Sequence, residues 1–223
     1  MNDDPVTTTL SAGPLLLRPW LAEDLPALIE AYRDPAMRTM LRSQVTDEAT
    51  ARRWLRVRQE GWKSGGYFSF AVVDRDLGSE PVGNVALKRP APGSDSAEVG
   101  YWTAAPARGR GIAPLALGAL GDWAFEAFEA FGAFEAFAGD GLMRLDLLHQ
   151  AGNEASCRVA EKCGYGFAEV LPARPPWPTD GHRHTRLRTG DLRRPPAAGR
   201  SLSPWADRRA GSAGTGSDRA TRR

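Results

Sequence analysis

The chain has 223 residues, 42% of them hydrophobic and 25% charged, with a formal net charge of +2, the balance of one ordinary well-cored domain. No stretch reaches the roughly 18–20 apolar residues of a membrane span, and the start MNDDPVTTTLSAGP has acids where a signal peptide needs basic residues; the reading is cytoplasmic, with no membrane partner. Residues 190–223 hold eight Arg and three Asp, so that +5 sits there and −3 on everything before it (+2 less +5), which gives a nucleic-acid partner no support on the folded part.

Along the chain, residues 1–13 are polar and expected to be loose. Leu15 to Arg18, ended by Pro19, form a first strand. Ala22-Glu23-Asp24 opens a helix through Leu25, Leu28, Ile29 and Tyr32, spaced near 3.6 and stopped by Asp34-Pro35. Thr46-Asp47-Glu48 starts another, with Ala51, Trp54, Leu55 and Arg58 at helical spacing, and Gly65-Gly66 breaks it. Residues 67–74 (YFSFAVVD), 82–88 and 97–103 (AEVGYWT) are β-rich runs separated by turns, an antiparallel meander. A long helix follows Gly111 through Leu115, Leu117, Leu120 and Trp123. Then come a strand at 143–148, a helix at 154–162 closed by Gly164, a strand at 167–171 and a last one at 184–188. From about residue 190 the composition cannot offset its ordering entropy, and a disordered Arg/Pro/Gly-rich tail is expected after a domain at 14–189.

The most informative segment is Arg108-Gly109-Arg110-Gly111-Ile112-Ala113, between a strand and a long helix. Glycines let the backbone approach a ligand, and a helix start presents unpaired N–H groups and partial positive charge to a pyrophosphate. A plain tight connection is the competing reading. The pattern is neither GxxxxGK[ST] nor GxGxxG, which disfavours triphosphate and dinucleotide sites.

The run AEVGYWTAAPARGRGIA resembles the central motif of the GNAT acetyltransferase superfamily, Arg/Gln-x-x-Gly-x-Gly/Ala, with Arg108, Gly111 and Ala113 in the matching places. NEASCRVAEKCGYGF is similar to the family's Asn-x-x-Ser segment, and LLLRPWLAEDLPAL to its first strand and helix. The resemblance covers about residues 14–188 and is nearest the ribosomal-protein N-terminal acetyltransferase (Rim-like) branch. It implies an α/β fold: a mixed, mostly antiparallel central sheet with helices on both faces. It also implies an enzyme that moves the acetyl group of acetyl-CoA, its co-substrate, to a primary amine on a protein N-terminus or a small molecule. A catalytically silent CoA-binding module is the alternative.

Residue by residue, the resemblance implies that backbone N–H groups of Arg108, Gly109, Arg110, Gly111, Ile112 and Ala113 hold the CoA pyrophosphate. The strand carrying Tyr101, Trp102 and Thr103 would splay from its neighbour and pair with the pantetheine arm. An N–H near Trp102 or Thr103 would polarise the thioester carbonyl. Asn153 matches the Asn that binds the cofactor, and Ser156 the Ser beside the sulfur, a candidate acid for the thiolate. The catalytic Tyr of other branches, seven residues after the Asn, is here Ala160. Glu98, the carboxylate nearest the presumed cleft, is the candidate base; a strand glutamate paired with an arginine is the competing reading. Residues 35–45 and 172–184 would shape acceptor specificity and carry no readable code.

Other signals are discounted. His182 and His184 share a strand face but lack a Cys or carboxylate at ligand spacing. Cys157 and Cys163 stand without a second pair, so no metal and no disulfide framework are expected. His149 reads as a loop hydrogen-bonder just past a strand, and Cys157 as a buried structural thiol. One Arg-Gly string between apolar segments is not an RNA-binding repeat. Phe125, Phe128, Phe131, Phe134 and Phe137 recur every three residues; each step falls about 60° short of a full turn, so one packing face cannot bury them all. Phe125 and Phe128 suit the core, while Phe134 and Phe137 belong to a tolerated insertion or, less favoured, a homodimer interface.

Overall fold

The computed structural model describes residues 8–41, 44–88, 94–128, 141–174 and 178–188. The phenylalanine repeat beyond Phe128 and the tail from residue 190 lie outside them. The chain opens with the hairpin β1 (Leu10–Ala12) and β2 (Leu15–Pro19). β1 falls in the stretch read as loose: Thr, Ser and Gly give no strand signal, and only pairing with β2 makes it one. A single 3-10 turn (Ala22–Asp24) leads into α1 (Leu25–Ala31), followed by α2 (Pro35–Met40) and α3 (Glu48–Ser64). The Asp34 carboxylate caps α2 through the Ala36 N–H, and Asp47 caps α3 through the Thr50 N–H. Gly65, in the left-handed region at φ 63°, ends α3 as the Gly pair predicted.

The meander follows as β3 (Tyr67–Asp74), β4 (Pro81–Lys88) and β5 (Ser96–Thr103). Then come α4 (Ile112–Ala127), β6 (Arg144–Gln150), α5 (Glu154–Lys162), β7 (Gly166–Leu171) and β8 (Gly181–Leu187). One sheet has the order β1-β2-β3-β4-β5-β6-β8-β7. Every neighbouring pair is antiparallel except β5 and β6. β8 begins three residues earlier than the sequence suggests, at Gly181, and lies between β6 and β7.

Two apolar layers sandwich the sheet. Leu15, Leu17, Phe70, Val85, Val99, Leu145 and Leu147 pack against Leu117, Leu120 and Ala124 of α4. Phe125 and Phe128 join that layer. Trp20, Tyr32, Trp54 and Trp102 form an aromatic layer with Leu28 and Leu55 on the side of α1 and α3. Between them Asn84 Oδ1 accepts from Trp20 Nε1 (2.9 Å) and Ser69 Oγ (2.7 Å), which satisfies the buried polar atoms at the sheet's centre. Among the described residues no helix is long and apolar enough to cross a membrane.

Gly61 of α3 tests how closely this helix meets the strand that follows it. A Cβ built there would stand 2.5 Å from the Tyr67 Cβ and 2.8 Å from the Tyr67 carbonyl oxygen. Alanine gains about 1 kcal/mol of helix propensity but forces backbone apart, at roughly 1–3 kcal/mol for overpacking. Gly61→Ala is therefore expected to lower stability in a denaturant titration, and a rise would show that α3 yields freely.

Candidate active site

The site is built at the one parallel pair of the sheet. β5 and β6 are in register from Ser96–Arg144 to Val99–Leu147, and the pairing ends there. β5 continues beside β4 to Thr103–Gly83, and β6 continues beside β8 to Gln150–Gly181. The strands thus part in a V whose crotch lies at Val99 and Leu147. The Ala104 N–H donates to the Val82 carbonyl (2.9 Å), so strict alternation turns the backbone groups of Trp102 and Gly100 toward β4 and those of Tyr101 and Thr103 into the V. The N–H sought near Trp102 or Thr103 is by this count that of Thr103 or Tyr101; Trp102 contributes its ring to the aromatic layer.

At the β5 rim, the chain passes through a 3-10 turn (Ala105–Ala107) into the glycine-rich loop. Gly109 and Gly111 take φ 77° and 79°, which favours glycine. Gly111 is the N-cap of α4, and the first helical bond runs from the Leu115 N–H to the Gly111 carbonyl (3.3 Å). The N–H groups of Ile112 and Ala113 precede it and are left for a ligand, while Pro114 has none to lose. The Arg108 N–H is already given to the Ala105 carbonyl (3.3 Å), which leaves Gly109 to Ala113 as the cradle. The Arg108 side chain turns back: Nε donates to the Thr103 carbonyl (3.0 Å), and the guanidinium pairs with Asp34. The Ala36 N–H and that guanidinium hold the Asp34 carboxyl below the usual carboxylate range.

At the β6 rim, Asn153 caps α5, its Oδ1 accepting from the Ser156 N–H (3.2 Å). Its amide is left facing Met40 Sδ (3.4 Å). Ser156 is buried, and its Oγ accepts a hydrogen bond from the Tyr101 hydroxyl (3.0 Å) across the V. Burial pushes the Tyr101 pKa up, so the phenol stays a donor. Strand alternation puts Tyr101 on the face opposite Trp102, and no sequence signal paired it with Ser156. Gln150 Nε2 donates to the Thr39 carbonyl (3.2 Å), so α2 touches Arg108 at one end and Gln150 and Asn153 at the other, bridging the mouth of the V.

Glu98 sits one residue before the crotch on the opposite face, with Gly100 and Trp102. Its carboxylate pairs with Lys88 Nζ at 2.5 Å, directly across β4; the partner is a lysine, not the arginine of the competing reading.

The fold also assembles side chains that sequence spacing keeps apart. His149, Cys157, His182 and His184 bring one ligand atom each to within 4.8 Å of one another. His149 lies inside β6 rather than past it. Burial lowers the pKa of His149 and of His184.

Residues 14–166 match the family described as the acetyltransferase (GNAT) domain. The chain belongs to that family. An acyltransferase, rather than a silent CoA-binding module, is what this membership supports. Among curated proteins none matches. Similar solved structures include Mycobacterium smegmatis RimJ in complex with CoA-disulfide, 19% identical over 85% of this chain and 91% of that one, at a TM-score of 0.68. Another is the Salmonella typhimurium acetyltransferase that modifies the N-terminal serine of ribosomal protein L7/L12, 19% identical over 81% and 99%, at 0.66. The microcin C7 self-immunity acetyltransferase MccE, in complex with acetyl-CoA and AMP, is 14% identical over 79% and 93%, at 0.65. At these identities the likeness establishes the GNAT fold.

Loop chemistry in this acetyltransferase is open to a direct test. A Cβ on Gly111 meets no atom within 4 Å, so crowding inside the protein is not what keeps glycine there. Gly111→Val puts a branched side chain at positive φ and on the ligand's path. It is expected to abolish the rise in melting temperature that acetyl-CoA produces in the wild type. A rise of the same size in the variant would mean that the pyrophosphate does not lie at this loop.

Proposed function

We propose that the protein transfers the acetyl group of acetyl-CoA to a primary amine by direct attack in a ternary complex. The observation that carries this reading is the V between β5 and β6, with the glycine loop at one rim and the Tyr101–Ser156 pair at the other. Acetyl-CoA enters from the α4 and α5 face, its pyrophosphate on the N–H groups of Gly109 to Ala113 and its arm along the unpaired edge of β5. The amine approaches from the face of α1 and α3. The Thr103 or Tyr101 N–H receives the charge that builds on the thioester oxygen. Asn153, with its Oδ1 spent on the cap, offers its amide to the cofactor.

Ser156 serves the leaving thiolate. Because its Oγ accepts from Tyr101, its own hydrogen is left to point at the sulfur. Glu98, at the crotch on the acceptor side, takes the amine proton through water, with Lys88 holding its carboxylate in place. Protein N-termini are the first acceptors to try, because similar structures include RimJ and an enzyme acting on an N-terminal serine. A protein α-amine, with a pKa of about 8, also asks less of a base than a lysine near 10.4. We place the enzyme in the cytoplasm, a reducing compartment that suits its free thiols Cys157 and Cys163.

An amine panel that follows CoA thiol release tests the whole reading, and no acetylation of any peptide or small amine would overturn it. Ser156→Ala is expected to lower kcat by about 10²-fold, the low end of general acid help, with little change in acetyl-CoA affinity. Tyr101→Phe should cost less, and the double variant no more than Ser156→Ala, since Tyr101 acts through the serine. Full kcat in Ser156→Ala would remove the serine from the chemistry. Glu98→Gln is expected to depress kcat/KM most at low pH, where the amine is protonated, and least above the amine's pKa. An equal fractional loss at every pH would rule Glu98 out as the base.

A further inference from the structure

Four side chains, one of them the Cys157 that follows Ser156, gather between β6, β8 and α5. In β6 and β8, His149 lies directly opposite His182, and Leu147 opposite His184. With side chains alternating along a strand, the three imidazoles share one face, the face that α5 covers and to which it brings Cys157. Cys157 Sγ stands 3.7 Å from His149 Nε2 and 3.5 Å from His182 Nδ1. Zinc bonds of about 2.0–2.1 Å to nitrogen and 2.3 Å to sulfur, at tetrahedral angles, put neighbouring ligand atoms about 3.4 Å (N to N) and 3.6 Å (N to S) apart. Two contacts already have that spacing, and the other atoms need only close from within 4.8 Å.

A plain hydrogen-bonded cluster explains the arrangement less well. Hydrogen bonds can account for the sulfur, whose thiol proton goes to one imidazole while it accepts the N–H of the other, but they do not account for His184. His184 is 2% exposed, and neither of its ring nitrogens has a hydrogen-bond partner. The backbone of Tyr165 favours its charged form but does not meet hydrogen-bond geometry. A buried ring in that state is uncommon in a finished core, and a cation would take up one of its two nitrogens. His149 Nδ1 donates to the Gln150 carbonyl at 2.8 Å. A carbonyl oxygen only accepts, so this bond fixes the tautomer and aims the Nε2 lone pair at the cluster, the outer-shell arrangement usual for a ligating histidine. The Phe167 ring stands edge-on to His182 at 5.2 Å and to His184 at 5.7 Å and walls one side.

We propose that His149, Cys157, His182 and His184 form a four-ligand site for a divalent cation of the zinc class. Three imidazoles and a thiolate with no carboxylate suit zinc and exclude the oxygen-seeking magnesium and calcium. Four protein ligands close a tetrahedral shell, so the ion is structural and leaves no position for substrate. Binding converts the Cys157 thiol to thiolate and releases one proton to solvent. The ion ties the first turn of α5 to β6 and β8, and so holds the helix that carries Asn153 and Ser156 against the rim of the V.

The test uses the full-length chain, purified without a histidine tag, stripped with a chelator and titrated with Co²⁺ in the absence of acetyl-CoA. One Co²⁺ per chain should bind, with the intense visible bands of a tetrahedral ion and a thiolate-to-cobalt charge-transfer band. One equivalent of Zn²⁺ should displace it and raise the melting temperature. Cys157→Ser should remove the charge-transfer band and weaken Zn²⁺ by more than the roughly 10–100-fold that loss of an outer-shell partner costs. His182→Asn, at a partly exposed ligand, should weaken it likewise while keeping the charge-transfer band. A pale octahedral spectrum in the wild type, or no stoichiometric binding, would overturn the proposal whether or not the variants fold. So would equal Zn²⁺ affinity in the wild type and Cys157→Ser. Acetyl transfer is not read, so either reading can fail without the other.

Discussion

Everything distinctive in this molecule depends on one broken strand pairing. β5 keeps its antiparallel bonds to β4 as far as Thr103, and β6 keeps its own to β8 as far as Gln150. The parallel pairing between them stops at Val99–Leu147. Parallel ladders are slightly the weaker kind, so when sheet twist draws the two halves apart, this is the seam that opens. The backbone groups of Tyr101 and the N–H of Thr103 are then left facing a cleft inside the sheet, where polar groups need a partner; the Thr103 carbonyl has its own in Arg108. An extended ligand arm can supply one as an added strand does.

The parallel sense of that pair has a second consequence. Because β5 and β6 run the same way, the segments that follow them leave the sheet at the same end. α4 starts at Gly111 and α5 starts after Asn153, so two helix N-termini converge on the two rims of one cleft. Each brings unpaired N–H groups and partial positive charge. An antiparallel pair would send them to opposite ends of the sheet. The same strand geometry separates two sets of side chains: Tyr101 and Ser156 lie on the α4 and α5 face, Trp102 and Glu98 on the other, and the V is where the faces communicate.

The mouth of the V is held by small polar contacts beside the apolar packing of Met37 in the aromatic layer. α2 joins the rims through Asp34–Arg108 at one end and through Thr39–Gln150 and Met40–Asn153 at the other. The contacts at the α2 tail are exposed, and such contacts are individually weak. They tie the two rims together across the mouth of the V. They also give residues 35–40 a structural reason to sit across the two rims.

Local signals sufficed for most elements and for the loop, but not for β1 or for α2, where the sequence offered a loose start and a segment without readable code. Period-2 and period-3.6 patterns, the helix start at Asp47, the Gly65 stop and the glycines of the loop act within a few residues of themselves, so they are legible in a linear string. The Arg-x-x-Gly-x-Ala motif is of that kind, and so is the run of three strands before it. What the sequence could not state was which distant residues meet. β1 became a strand because β2 was there to pair with it. Glu98 found Lys88 through the register of β4, and Tyr101 found Ser156 across a cleft that exists only because two strands part. His182 and His184 looked idle beside each other, since their partners stand 33 and 25 residues upstream of His182, at His149 and Cys157. Only the insertion of β8 between β6 and β7, with α5 laid over that face, brings those four ligand atoms together. Sequence fixes side-chain chemistry and short-range conformation, whereas a site is a set of long-range distances, and strand order and register decide those.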